Sequence, residues 1–250
     1  RRRDAVVRAP DSVSAIERPS TALLDADGES MLTFVDSMAL LVRAGFEVAP
    51  YEIVLPGAAA PTTRLVGPLV VKLADVAHRT EHGAVLLGVP PDGLASAVAH
   101  LRDLAHASGL PPTVVVQPQL RGHGEVFLGL SGTSELGPLV AFGLGGVFVE
   151  VLRRVSGRIA PFTQTDALEM IAEFDDLGVA DGFRGGPPWD RSHLGALLVA
   201  AGDLAAGGRH WLRTFDVNPL IQTDTGFVAV DGVCFVEPRM APTTGGIGHG

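Results

Sequence analysis

The chain has 250 residues, of which 46% are hydrophobic and 19% are charged, and this balance allows a globular protein with a substantial core. Its net charge of -9 argues against a general nucleic-acid surface, because phosphate backbones are held by basic patches. No stretch reaches the roughly 18 apolar residues of a membrane span, and the single cysteine, Cys234, excludes an internal disulfide, so we expect neither nucleic acid nor a membrane as a partner and a reduced, cytoplasmic setting.

The two ends of the chain differ from its middle. Residues 1–28 mix proline, serine, aspartate and alanine without a sustained period, which is typical of a tail or an interdomain linker. Residues 239–250 are low in apolar content and are predicted to be a disordered tail. Because the sequence also begins without methionine, we expect it to be a piece of a longer polypeptide.

Helical and strand patterns are mixed between these ends. Apolar residues at three- and four-residue spacing predict helices over 31–45, 92–107, 165–175 and 190–206. Apolar runs bounded by turn residues predict strands over 68–73, 83–89, 113–117, 147–152, 212–217 and 226–231, with 125–130 and 138–142 as an antiparallel pair. Since the elements do not follow a strict βαβ repeat, the pattern predicts an α+β architecture.

Lys72 ends the predicted strand 68–73 and is the only lysine among the 19 Lys and Arg residues. A compact ammonium on a flexible stem is suited to reaching a polyphosphate from a strand end. The alternative is that one lysine has survived by chance in an arginine-biased sequence. The first interpretation predicts a nucleotide site.

Polar side chains cluster near the C-terminus, where Asp216 and Asn218 are predicted to end one strand and Asp231 the next. Residues 216 and 218 share a face because strand side chains alternate. Hard oxygen ligands at neighbouring strand ends are suited to Mg²⁺, which is usually held by one or two carboxylates together with nucleotide oxygens and water. The alternative is structural: turns around Pro219, with Asp231 capping a hairpin.

A glycine run, Phe142-Gly143-Leu144-Gly145-Gly146, follows a predicted strand. Glycines there let backbone N–H groups approach a phosphate, or simply form a tight turn. The run lacks the Gly-Lys-Ser/Thr ending of a P-loop, and no helix clearly begins at Gly146, so neither common phosphate fingerprint is supported.

Taken in chain order, these motifs resemble a known family. They are Val70-Val71-Lys72, His78-Arg79-Thr80-Glu81, Gly83-Ala84-Val85, Glu125 to Gly129, Gly137-Pro138, the glycine run, Arg158 to Pro161, Phe183-Arg184-Gly185, Asp216 to Leu220, and Asp231. The order resembles the ATP-grasp domain, the beta part, of NDP-forming acyl-CoA synthetases, also called ADP-forming acetate-CoA ligases, from about Leu32 to Glu237.

The resemblance implies an ATP-grasp fold, with a nucleotide clamped between a small α+β lobe over 29–112 and a large one over 113–238. It implies that Lys72 and Arg79 contact the ATP phosphates. The family pattern adds Gly145, Gly146 and Arg158 as further nucleotide contacts.

By the same resemblance, the backbone of Pro118, Gln119 and Leu120 is the hinge at the adenine edge, and Glu125 meets the ribose hydroxyls. Asn218 and Asp231 match the magnesium-binding positions, with Asp216 beside them. A cation from one lobe and a metal from the other agree with phosphoryl transfer, which depends mainly on positioning and charge neutralisation.

In the family, an acyl-CoA and phosphate are interconverted with acid and CoA while ADP becomes ATP, through an acyl phosphate and a phosphorylated histidine of a CoA-ligase domain. The resemblance therefore implies Mg²⁺ as cofactor, ATP/ADP as substrate, and a CoA-ligase (alpha) subunit or domain as partner, which would bring the CoA and the small carboxylic acid. This chain would be part of a hetero-oligomer or of a larger polypeptide.

His78 resembles a histidine of the ATP-grasp part that receives or passes the phosphoryl group, so it joins Lys72 and Arg79 as a catalytic candidate; the alternative is a structural loop histidine. The segment from Lys72 to His78 is shorter than is usual in the family. Two other functions stay open: a regulatory or degenerate nucleotide-binding module, as in fusions with protein acetyltransferases, and a carboxylate-amine ligase.

Overall fold

The computed structural model describes residues 13–25, 28–58, 62–132, 135–145, 154–182 and 186–238. Its strands are β1 (Ala22–Leu24), β2 (Ser30–Leu32), β3 (Glu47–Val48), β4 (Glu52–Val54), β5 (Leu69–Leu73), β6 (Val85–Val89), β7 (Val114–Pro118), β8 (Gly124–Ser131), β9 (Leu139–Leu144), β10 (Val155–Ile159), β11 (Leu212–Gln222), β12 (Phe227–Ala229) and β13 (Gly232–Val236). Its α-helices are α1 (Phe34–Arg43), α2 (Leu94–Ser108), α3 (Gln164–Ala172) and α4 (Arg191–Gly207). The α+β class predicted from the sequence is confirmed.

The small lobe is a four-stranded antiparallel sheet in the order β4-β7-β5-β6, with α2 packed on one face. Alternation along β5 sends Leu69, Val71 and Leu73 into the core shared with α2, and leaves Val70 and Lys72 on the other face. The α2 helix ends at Gly109, whose φ of +67° a residue with a side chain rarely adopts. One face of this sheet is therefore a packing surface and the other is turned to the rest of the protein.

The large lobe is a nine-stranded sheet in the order β1-β2-β13-β11-β8-β9-β10, extended by β12 on β11 and by β3 on β12. All of its strand pairs are antiparallel except β12 with β3. Helices α3 and α4 pack on each other and on β8, β9 and β10. Their shared core includes edge-to-face contacts of Phe142 with Phe174 and with Trp189.

Short polar residues fix where the helices begin. Thr33 accepts a hydrogen bond from the backbone N–H of Asp36 at the start of α1, and Asp190 accepts one from His193 at the start of α4. Thr163 and Asp166 form a reciprocal capping box before α3. The predicted helices agree with the observed ones within a few residues, except that the start predicted at residue 31 is wrong because residues 30–32 form β2 and Thr33 caps α1.

The predicted lobe boundaries are wrong at the N-terminal side. Strand β2 pairs with β13 of the large sheet, β3 pairs with β12, and Leu32, Phe34 and Met38 are buried in the large core. Residues 30–48 therefore belong to the large lobe, although they precede the small one in the chain. The small sheet runs from Glu52 to Pro118, so it also extends past the predicted limit at residue 112.

Part of the predicted tail is also ordered. Strand β1 pairs with β2, the backbone N–H of Ile16 donates to Gly207, and the Trp211 indole donates to the carbonyl of Ile16 at 2.7 Å. Three-residue strands such as β1 and β2 are too short to show a period in sequence, which is why they were missed.

Several predicted features fall outside the described residues: the first 12 residues, the tail from 239, the whole strand over 147–152, and the motif at residues 183–185. Within the described part of the chain, no helix has the length and apolar character needed to cross a membrane.

Candidate functional site

A cavity of about 630 Å³ lies between the two sheets and is called the cleft below. Its lining includes most of the residues predicted for the site: Lys72, His78, Arg79, Pro118, Gln119, Leu120, Glu125, Asp216, Asn218 and Asp231. Residues that are far apart in the chain therefore meet in one cavity, because the two sheets face each other.

The centre of the cleft is a charge cluster of Lys72, Arg79 and Asp231, in which both cations are buried and the Asp231 side chain is 17% exposed. The Lys72 Nζ lies 3.0 Å from Asp231 Oδ2, and the Arg79 Nη1 lies 2.8 Å from both Asp231 oxygens. The side chains of Lys72 and Arg79 are 4% and 5% exposed. Two cations thus face one carboxylate across the lobes, which leaves the cluster one positive charge in excess.

Further contacts fix both cations. Lys72 donates to the carbonyl of Val230 at 2.9 Å, and Arg79 donates from Nε to Leu73 at 2.7 Å and from Nη2 to Ala74. The ring of Phe34, at the start of α1, lies 5.0 Å from the Lys72 ammonium. The cationic groups are therefore held in place by the backbone rather than extended into solvent.

The pKa values of the cluster follow from its burial. Burial lowers the pKa of Lys72 from 10.5 to about 8, although the attraction of Asp231 opposes this change. Burial alone would raise the pKa of Asp231, but Lys72 and Arg79 outweigh it and hold that pKa below its ordinary value. Lys72 is thus the member of the cluster whose charge is easiest to remove.

His78 lies at the rim of the cleft. Its backbone has a φ of +52°, its side chain is 69% exposed, and Nδ1 lies 3.6 Å from Glu81 Oε1. Burial raises the pKa of the Asp216 carboxyl, and the nearby His78 opposes this change only in part. An exposed imidazole beside the cluster is open to a group arriving from outside the chain.

The predicted hinge is tied to the small sheet. Pro118 is the last residue of β7 and pairs with Leu69, and the backbone N–H of Gln119 donates to Pro68 at 2.8 Å. The Gln119 side-chain oxygen accepts from the backbone N–H of Gly88 at 2.7 Å. The segment that leads from one lobe to the other is therefore fixed before any ligand arrives.

The structure does not bring every predicted residue to the cleft. Arg158, on β10, donates to Glu173 Oε1 at 2.7 Å and is not part of the lining. Gly145 donates its backbone N–H to the carbonyl of Glu125 at 2.7 Å, and a Cβ there would lie 3.0 Å from Glu125. Its glycine is thus explained by close backbone approach, while Gly146 lies outside the described residues.

The predicted metal ligands Asp216 and Asn218 occupy a different position in their strand from the one predicted. Asp216 and Asn218 lie within β11, which continues to Gln222, with an irregular register between Val217 and Leu220. They are therefore not at a strand end as predicted, because the strand resumes beyond Pro219.

The donor chemistry of the acidic side still suits Mg²⁺, since two carboxylates and an amide line the same cavity. Asp231 would have to give up contacts to Lys72 and Arg79 in order to bind a metal. No group of three or more His, Cys, Asp or Glu side chains is arranged to hold a metal in the described ranges. Any ion here would thus depend on Asn218 and on oxygens from a ligand.

Among the lining residues that were not predicted for the site, one is a buried amide. Gln117, on β7, is 2% exposed, and its Nε2 has no hydrogen-bond partner within the described structure. Its signal in the sequence was a single polar residue at the end of the apolar run Val114-Val115-Val116.

Comparisons with known proteins agree with this geometry. The ATP-grasp domain family matches residues 24–236. An ADP-forming acetate-CoA ligase I of Archaeoglobus fulgidus is 33% identical over 218 residues, which are 84% of this chain and 31% of that protein. The beta subunit of the acetate-CoA ligase [ADP-forming] I of Pyrococcus furiosus is 33% identical over 66% of this chain and 73% of that subunit.

A solved structure shows the same fold. It is the dinucleotide-forming acetyl-coenzyme A synthetase 1 of Ca. Korarchaeum cryptofilum in complex with coenzyme A and Mg-AMPPCP, with its phosphohistidine segment pointing towards the nucleotide binding site. The TM-score is 0.67 and the identity 28%, over 83% of this chain and 93% of that one. With the two-lobed cleft and the family match, this places the chain in the ATP-grasp domain family, together with the beta subunits of ADP-forming acetate-CoA ligases.

Proposed function

We propose that this chain is the ATP-grasp module of an ADP-forming acyl-CoA ligase, which binds Mg-ATP or Mg-ADP in the cleft and exchanges a phosphoryl group with a histidine of a companion CoA-ligase domain. The observation that carries the proposal is the buried cluster in which Lys72 and Arg79 of the small lobe face Asp231 of the large lobe. An excess positive charge between two lobes is suited to a polyphosphate.

In this proposal, Lys72 and Arg79 contact the phosphates and neutralise the charge that develops during transfer. The phosphates would replace Asp231 as the partner of one or both cations. The hinge at 118–120 would meet the base and Glu125 the ribose, since both line the same cavity. Arg158 would contribute only if β10 moved, because its guanidinium is held by Glu173.

Mg²⁺, when bound, would shield the phosphate oxygens and orient the transferred group. The residues that would hold it are Asn218 and Asp231, with Asp216 beside them. Desolvation in the cleft raises the pKa of the Asp216 carboxyl, so a cation nearby would favour its ionised form.

The phosphoryl step would break the bond between the γ-phosphorus and the ADP oxygen and form a bond to an imidazole nitrogen. His78 is exposed at the rim, where it could accept the group or pass it on. The companion is proposed because the chain spans 31% of the length of the A. fulgidus ligase, and because its P. furiosus relative is one subunit of a larger enzyme. CoA and the carboxylic acid would be bound by that companion.

A labelling experiment tests the proposal. The chain is incubated with Mg²⁺ and ATP labelled in the γ-phosphate, alone and with a CoA-ligase alpha subunit. We expect acid-labile, base-stable phosphohistidine, and we expect its loss in the Lys72→Met variant. Absence of phosphohistidine under both conditions, with ATP still bound, would contradict the transfer function.

A second candidate is a regulatory module that binds nucleotide without transferring phosphate. It is favoured by one observation: both Asp231 oxygens are already occupied by Arg79. ATP binding without any phosphohistidine would select this function.

A further inference from the structure

Gln117 is the one lining residue of the cleft whose buried polar atom makes no hydrogen bond within the described part of the chain. The side chain is 2% exposed, and its Nε2 has no partner. Leaving a buried donor unpaired is costly, and most buried polar groups in folded proteins are paired. A group in this condition inside a binding cavity points to a ligand acceptor.

The position of Gln117 specifies which part of a ligand it would meet. It pairs in register with Val70 on β5, and it directly precedes Pro118 of the hinge, while Lys72 lies two residues further along β5 beside Val115. Because partners in an antiparallel pair point to the same face, Gln117 lies beside Val70 on the cleft face. The amide is thus at the hinge side of the cleft, away from the charge cluster.

Apolar side chains line the same cavity as Gln117. Val70 and Leu87 from the small sheet, and Phe127 and Ile221 from the large sheet, line the same cavity. Leu87 is 67% exposed, so its side chain is free to contact a ligand in the cleft. A cavity lined by apolar side chains from both sheets, with the Gln117 amide beside Val70, is suited to a flat heteroaromatic ring.

We infer that Gln117 reads the base of the bound nucleotide: its Nε2 donates to a ring nitrogen of adenine while its Oε1 accepts from the 6-amino group. A carboxamide presents a donor and an acceptor side by side, and adenine presents the complementary pair. This inference rests on the proposed function, because it assumes that the cleft holds an adenine nucleotide.

The packing of β7 makes this contact specific. The residue after Gln117 is fixed by its pairing with Leu69, and the next one by the bonds of Gln119 to Pro68 and Gly88. A fixed amide cannot move to suit a different base, so a ligand without the 6-amino group leaves it unpaired. Selectivity would therefore come from the bond that the wrong ligand fails to make.

A cycle of protein and ligand changes tests the contact. Titration calorimetry with Mg²⁺ compares ATP with purine riboside triphosphate, which lacks the 6-amino group, on the wild-type chain and on Gln117→Met. We expect the wild type to prefer ATP by about five- to tenfold, the value of one such hydrogen bond. The variant should lose most of this preference, keeping only what the hinge backbone contributes. Gln164→Met is the matched control, since the Gln164 amide donates to Ser192 outside the cleft and its loss should leave the preference unchanged.

Thermal unfolding of the ligand-free proteins separates a binding role from a structural one. Gln117→Met removes an unpaired buried donor at similar volume, so the variant should melt no lower than the wild type. A lower melting temperature together with an unchanged preference for ATP would overturn the inference. If the wild type binds ATP but shows no preference over the analogue, only the role of Gln117 fails. If it binds neither ligand, the proposed function fails with it.

Discussion

The two faces of the small sheet differ in chemistry. On the α2 face the side chains are aliphatic, as at Leu69, Val71, Leu73 and Val116. On the cleft face, at neighbouring positions of the same strands, Lys72 is 3% exposed and Gln117 is 2% exposed. Packing alone explains the first face. Burying an amine and an amide costs free energy, so the second face is explained only by what these groups bind.

The largest effect should come from removing the carboxylate of the cluster. Asp231→Ala would leave Lys72 and Arg79 buried without their counter-charge, and breaking such a pair costs about 3–5 kcal/mol. Urea denaturation at pH 7 measures the free energy of unfolding. A loss of unfolding free energy smaller than that of an exposed ion pair, less than about 1 kcal/mol, would show that the cluster is not effectively buried.

A large loss should also follow from a cavity on the aliphatic face. Leu73→Ala removes a fully buried side chain, and we expect a loss of about 2–5 kcal/mol in unfolding free energy. The affinity of the folded variant for Mg-ATP, measured at low temperature, should stay close to that of the wild type. Comparable losses of affinity in Leu73→Ala and in the cleft variants would erase the distinction between the two faces.

A smaller effect should appear in the pH dependence of stability. Because burial lowers the pKa of Lys72 from 10.5 to about 8, the folded state binds fewer protons than the unfolded state between these values. Stability relative to the Lys72→Met variant should therefore rise with pH across this window, by about 1–3 kcal/mol. Urea titrations of both proteins at pH 7 and pH 10 measure the difference. A relative stability that falls over this range would mean that the lysine is stabilised in its charged form.

The smallest effect is expected at an exposed ion pair far from the cleft. Arg158 and Glu173 have side chains that are 29% and 44% exposed, so Arg158→Ala should cost less than about 1 kcal/mol. The same denaturation measurement serves as the control for Asp231→Ala. A loss as large as that of Asp231→Ala would show that burial does not set the difference between the two ion pairs.

Much of the fold could be predicted because its signals are local. The helices begin at side-chain caps such as Thr33 and Thr163, and their apolar spacing is visible in the sequence. Strand β11 was predicted too short, because Asn218-Pro219 was interpreted as a terminus whereas pairing with β8 and β12 continues on its far side. The assignment of 30–48 to the large lobe depends on pairing with strands almost two hundred residues later, which no local pattern reveals.

The site was predictable as a set of residues and less so as a set of contacts. Lys72, Asn218 and Asp231 stood out by residue type and by their position in motifs, and they do share the cleft. That Asp231 contacts Lys72 and Arg79 directly follows from the facing of two sheets. Gln117 was missed because a lone amide after three valines becomes informative only once its burial and its unpaired Nε2 are known.

Titration of Mg-ATP into the wild type, Lys72→Met and Asp231→Asn tests the central claim most directly. If the cleft binds the triphosphate through cations of one lobe and oxygen ligands of the other, affinity should fall at least about tenfold in both variants, the value of a lost charge-assisted hydrogen bond. Circular dichroism at the titration temperature confirms that each variant is folded. Unchanged affinity in both folded variants would contradict the account.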